Sequence, residues 1–156
     1  MMIELTLNSI ECIKQNESGK DEIYLEFKVR ENKEGGIEDV ERYPNNEAEL
    51  WEFAKGDKKE LNQALFVGNI GFGLEFQLAF YEEDMSAGSR LVTPAIIKNM
   101  IDDFIGEINI SLHNMHDLKY EVGKHTKHKN SEGKKHEFSL TGGGAEYHVV
   151  VELKHL

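Results

Sequence analysis

The sequence predicts an all-β fold, an eight-stranded antiparallel β-sandwich with one short helix inserted near residues 94–101. Three observations lead there. Apolar and polar residues alternate with a period of two in run after run, as in Ile23, Leu25, Phe27 and Val29. Glycine- and asparagine-containing turn segments separate these runs. Only one stretch, following Thr93-Pro94, carries apolar residues at helical spacing. The 156 residues fit a single domain, 1–156, long enough to bury a core without disulfides.

Taken in order, Ile3, Leu5 and Leu7 begin the first strand, and after a change of phase Ile10 and Cys12 continue it. Turn chemistry follows in Asn16-Glu17-Ser18-Gly19-Lys20-Asp21, and Ile23 to Val29 form the second strand. Residues 32–47 are polar, contain glycine and Pro44, and read as a long loop. Trp51 and Phe53 start a short strand, and residues 61–67 form another. The chain then breaks at Gly68-Asn69-Ile70-Gly71-Phe72-Gly73, which has turn or bulge character and lacks the Lys-Ser/Thr of a phosphate loop. Leu74, Phe76, Leu78 and Phe80 alternate again, as do Ile108, Ile110 and Leu112. Phe138 and Leu140 lead through Thr141-Gly142-Gly143-Gly144 into Tyr147, Val149, Val151 and Leu153, the pattern of a hairpin. The helix opens on Thr93 as cap with Pro94 at the first helical position, and Ile96, Ile97, Met100, Ile101 and Phe104 share its apolar face.

Composition excludes several classes of function. Lysine and arginine number 18 against 29 aspartates and glutamates, for a net charge of −11. A nucleic-acid backbone is repelled by such a field, so nucleic acid is not expected as a partner. The single cysteine, Cys12, excludes an internal disulfide and a cysteine-based zinc site; its place in an alternating run makes it a buried small hydrophobe. No apolar run is long enough for a transmembrane segment, and Met1-Met2-Ile3-Glu4-Leu5 lacks the pattern of a signal peptide. A cytoplasmic location is therefore expected, with leaderless export as the alternative.

The chemistry concentrates in two acidic clusters, Tyr81-Glu82-Glu83-Asp84 at the end of one strand and Asp102-Asp103-Phe104-Ile105-Gly106 at the start of another. Converging carboxylates repel one another unless a cation joins them. Asp102 and Asp103 also fall where the helix should end, at the negative pole of its dipole. A cation would offset both effects, and calcium, with its many flexible oxygen ligands, suits the set better than zinc or magnesium. Solvated surface carboxylates are the plain alternative.

This arrangement resembles the third calcium loop of C2 domains, in which an aspartate-x-aspartate follows one strand and another aspartate precedes an apolar pair and glycine. Glu82 and Asp84 match the first pair, and Asp103 in Asp103-Phe104-Ile105-Gly106 matches the last. Ser18-Gly19-Lys20-Asp21-Glu22-Ile23-Tyr24 is similar to the family's first loop, with Asp21 or Glu22 in the aspartate position. The connection from Asp84 to Asp103 is longer than the family's and holds the helix, while Gln15, Asn16 and Glu17 stand where an earlier aspartate is usual. The resemblance implies a C2-like β-sandwich and a metal site of Asp21, Glu82, Asp84 and Asp103 with Asp102 nearby. It also implies calcium-dependent attachment to an anionic phospholipid surface or a protein partner, with Met85 and Leu91 as apolar loop residues at the membrane.

A second constellation lies in residues 113–136, which hold His113, His116, His125, His128 and His136 among six lysines. The three-residue offsets of His113/His116 and His125/His128 can present two imidazoles to one zinc on a turn or helix, though not on a strand. Otherwise the segment reads as an exposed hairpin or loop, the basic patch of an acidic protein. No nucleophile or phosphate-loop motif points to an enzyme. The expected function is thus a non-catalytic binding module. A calcium-independent interaction or assembly subunit, forming a homo-oligomer, is the alternative, and a hydrolase using carboxylates comes third.

Overall fold

The alternating runs assemble into two antiparallel sheets laid face to face. The structure, a computed structural model, describes residues 2–16, 19–32, 35–36, 38–45, 49–83, 102–113, 118–132 and 134–156, with backbone alone at 118, 130 and 132. Its strands are β1 (Met2–Lys14), β2 (Asp21–Glu31), β3 (Glu38–Tyr43), β4 (Trp51–Phe53), β5 (Lys58–Asn69), β6 (Leu74–Glu82), β7 (Asp103–Leu112), β8 (Leu118–Val122), β9 (Thr126–Glu132), β10 (Lys135–Gly142) and β11 (Ala145–His155). The first sheet runs β5-β1-β11-β10-β9; the second runs β3-β2-β6-β7-β8, with β4 also paired to β2. β11 lies at the centre of the first sheet, bonded to β1 on one side and β10 on the other.

Side chains two apart on a strand share a face, so each alternating run becomes one apolar column pointing between the sheets. Leu5, Leu7, Ile10 and Cys12 from β1 meet Leu25 and Phe27 from β2, Phe76, Leu78 and Phe80 from β6, and Ile108 and Ile110 from β7, all buried. Tyr147, Val149 and Val151 of β11 complete the core. Each such aliphatic or aromatic side chain is worth about 1.5–3 kcal/mol when fully buried. The hairpin predicted from the glycine run forms as β10 and β11, joined through Gly143 and Gly144, both at positive φ.

Five expectations need correction or qualification. Among the described residues there are eleven strands, not eight. Residues 32–47 contain β3 rather than a continuous loop, because an edge strand facing solvent can be almost wholly polar; Val40 and Tyr43 are its only apolar side chains. The histidine- and lysine-rich stretch supplies β8 to one sheet and β9 to the other, so it is not one hairpin. Phe104 lies in β7 opposite Tyr81, not on a helix face, since pairing with β6 extends to Glu82 and Asp103. The helix near 94–101 falls outside the described residues, and with it Met85 and Leu91.

Two glycines let the sheets touch at one end. A Cβ on Gly142 of β10 would stand 2.5 Å from the Phe104 carbonyl oxygen and 2.7 Å from that of Ile105. Across the gap, a Cβ on Gly106 of β7 would meet Thr126 Oγ1 at 2.6 Å, an oxygen fixed by the Glu107 N–H at 2.9 Å. Backbone cannot yield as a side chain does, so Gly142→Ala should cost about 1–3 kcal/mol by urea unfolding. Gly19→Ala, with nothing within 4 Å of its Cβ, should stay within about 0.5 kcal/mol of the parent.

Candidate functional site

At the end where the sheets touch, the apolar columns stop and carboxylates take their place. Asp21 continues the inward column of Ile23, Leu25 and Phe27 on β2, and Glu82 continues that of Leu74 to Phe80 on β6. Asp103 is the register partner of Glu82 on β7 and faces the same way. β2, β6 and β7 are neighbours, so three adjacent strands each end in an inward carboxylate. Asp21 and Glu82 are both 0% exposed, and Asp103 is partly buried.

The opposite sheet and the turn after β1 supply the donors. Tyr147 of β11 donates its hydroxyl to Asp21 Oδ2 at 2.5 Å, and the Asn16 backbone N–H donates to the same oxygen at 2.8 Å. Asn16 Nδ2 donates to Asp103 Oδ2 at 2.7 Å and lies 3.5 Å from Glu82 Oε2. One side-chain amide thus sits between two carboxylates. The β10–β11 turn closes over them: a Cβ on Gly143 would stand 2.9 Å from Asp103 Cβ, and one on Gly144 would stand 3.4 Å from Asn16 Oδ1. Burial first, then the hydrogen bond to Asp21, pushes the Tyr147 phenol far above its ordinary range, so it remains a donor. Burial likewise raises the Cys12 thiol beside it, which keeps that sulfur protonated and inert.

Asp102 joins a different group. The Tyr24 hydroxyl donates to its Oδ2 at 2.7 Å, and Tyr24 points to the outer face of the second sheet. There Tyr24 stacks on Tyr81 with centroids 5.3 Å apart, and the Arg42 guanidinium lies 5.0 Å from the Tyr24 centroid. Arg42 in turn reaches Glu26 Oε2 at 3.3 Å. Of the expected site residues, then, Asp21, Glu82 and Asp103 come together, Asp102 hydrogen-bonds outward, and Asp84 lies outside the described residues. Asn16 and Tyr147 were not among the expected site residues. Among the described residues, no three histidine, cysteine or carboxylate side chains are grouped to hold a metal by themselves.

The histidines pair differently from their spacing. His113 Nδ1 is 3.5 Å from Asn32 Nδ2 at the far end of the sandwich, and His116 lies outside the described residues. His125 stands beside the Phe104 ring at 6.0 Å. His128 Nε2 instead lies 3.1 Å from His136 Nδ1, across the β9–β10 pair. A search against models of known protein families and a search of curated proteins each find no match to this chain.

Two outcomes follow. Tyr147→Phe removes a donor from the fully buried Asp21 and should lower stability by about 1–3 kcal/mol in urea unfolding. Burial and the neighbouring His128 hold the His136 imidazole below its ordinary value of 6.5. The folded protein then resists a proton that the unfolded chain accepts, so this contribution is present above 6.5 and is lost as pH falls below it. The fall in urea midpoint from about pH 7 to about pH 5 should be smaller in His136→Gln than in the parent.

Proposed function

We propose that the chain is a non-catalytic binding module of C2-like fold whose acidic end takes up a calcium ion and, through it, an anionic phospholipid surface. The observation that carries this reading is the inward layer of Asp21, Glu82 and Asp103 gathered around Asn16. Like charges brought together in a buried layer favour a counter-cation, and an all-oxygen set suits calcium. Glu82 and Asp103 are the carboxylate ligands in this reading. Rotation of the Asn16 amide would offer Oδ1 as a third oxygen, and water would complete the shell. Two carboxylates and an amide make a weak site, so calcium near millimolar concentration is the relevant range. The ion would neutralise the Glu82 and Asp103 carboxylates of a −11 chain and offer an open coordination position to a phosphate headgroup.

A calcium-independent interaction module of the same fold is the second reading. It is favoured by Asp21, whose Oδ2 already accepts bonds from Tyr147 and Asn16. Thermal unfolding in EDTA, magnesium and a calcium titration separates the two. At ten times the dissociation constant, calcium should add about 1.4 kcal/mol, a rise in Tm of roughly 3–6 °C. Asp103→Asn should abolish that rise while matching or exceeding the parent's Tm in EDTA. Identical curves in all three solutions would leave the calcium-independent module standing, whereas a calcium-specific rise makes sedimentation with phosphatidylserine vesicles the next measurement.

A further inference from the structure

The edge of the sandwich formed by β8 and β9 carries a cluster that the acidic end does not explain. β8 is the last strand of the second sheet and β9 the last of the first, so the chain crosses between sheets here. Four rings stack at the crossing. Tyr120 of β8 lies on His136 of β10 with centroids 3.9 Å apart at 26°, and His128 of β9 lies on Phe138 of β10 at 4.8 Å and 19°. Each imidazole is held flat against an aromatic ring, which fixes its plane. Between them, His128 Nε2 and His136 Nδ1 are 3.1 Å apart.

We propose that His128 and His136 form a two-imidazole site for a borderline divalent transition ion, zinc in the first instance, with solvent completing the coordination. At a separation of 3.1 Å, two neutral imidazoles share one proton between facing nitrogens. An ion about 2.0–2.1 Å from both nitrogens would subtend an angle of about 100°, close to the tetrahedral value zinc favours. Zinc would take the position of that proton, which moves to the far nitrogen of the ring that carried it, so that both rings ligate as neutral imidazoles.

Lysines flank the pair in sequence, but strand alternation limits their opposition. Lys127 and Lys129 bracket His128, and Lys135 precedes His136, so all three fall on the opposite face of their strands. The Tyr120 hydroxyl, buried in the cluster, has no hydrogen-bond partner among the described residues, and burial raises its pKa to about 12. A donor set of imidazoles alone selects zinc, copper or nickel and rejects calcium and magnesium, so this site is independent of the acidic end. Bound there, the ion would tie β9 to β10 beneath the Tyr120 ring and stiffen the crossing between the sheets.

Calorimetric titration of zinc chloride into the full chain tests the proposal. One equivalent of zinc should bind, His128→Gln and His136→Gln should each weaken it by at least about tenfold, and His148→Gln, on β11 with its Nδ1 3.3 Å from Glu137 Oε1, should leave it unchanged. In the unaltered protein, imidazole nitrogen spectra should show zinc shifting His128 Nε2 and His136 Nδ1 while calcium moves neither; this readout holds even if a variant fails to fold. Absence of zinc binding, or binding retained within about twofold in both variants, or shifts confined to other histidines, would overturn it.

Discussion

Backbone contact between the two sheets at the acidic end is the constraint on which the rest of the site depends. Facing sheets ordinarily pack about 10 Å apart, with side chains filling the space. Here Gly106 and Gly142 remove the side chains, and the β10–β11 turn comes down onto the Phe104 and Ile105 carbonyls. That descent places Gly143 against Asp103 and Gly144 against Asn16. The carboxylates are therefore held by strand ends in a sheet ladder and roofed by a tight turn. Strand pairing and the turn above leave these side chains little room to move.

The same geometry explains why the acidic residues are buried at all. A carboxylate taken out of water costs several kcal/mol unless hydrogen bonds or a counter-charge replace its hydration. Asp21 receives two short bonds, from Tyr147 and the Asn16 backbone. Glu82 and Asp103 divide one amide between them.

The sandwich was legible because period-two columns survive in every strand that lines the core. Strands β3 and β9 were not, since one is an edge strand with two apolar side chains and the other, Thr126–Glu132, has none. β8 alternates Leu118, Tyr120 and Val122, too brief a run to stand out among lysines and histidines. Asp21 and Glu82 could be read because each stands in phase with an apolar column, whereas Asp103 is out of phase with Ile108, Ile110 and Leu112 and turns inward only through the irregularity beside Ile105 and Gly106. Asp102, adjacent to Asp103 in sequence, was grouped with it, yet alternation sends its bond to Tyr24 on the outer face. Asn16 was passed over because a neutral amide carries no charge signal. The imidazole pair was hidden for a different reason: contact between His128 and His136 depends on the β9–β10 register, with its irregularity between Glu137 and Phe138. Spacing within one segment cannot report that.

The place of β11 has a consequence for how the molecule comes into being. It is the central strand of its sheet, bonded along its length to β1 and β10, and it is the last strand in chain order. During synthesis, β1 and β5 can pair early, but the first sheet has no middle until residues 145–155 emerge. Contacts such as Leu5 with Leu153 join residues far apart in the sequence and must wait for that moment. Until then the inward faces of β1 and β10 stand open to water and to other chains.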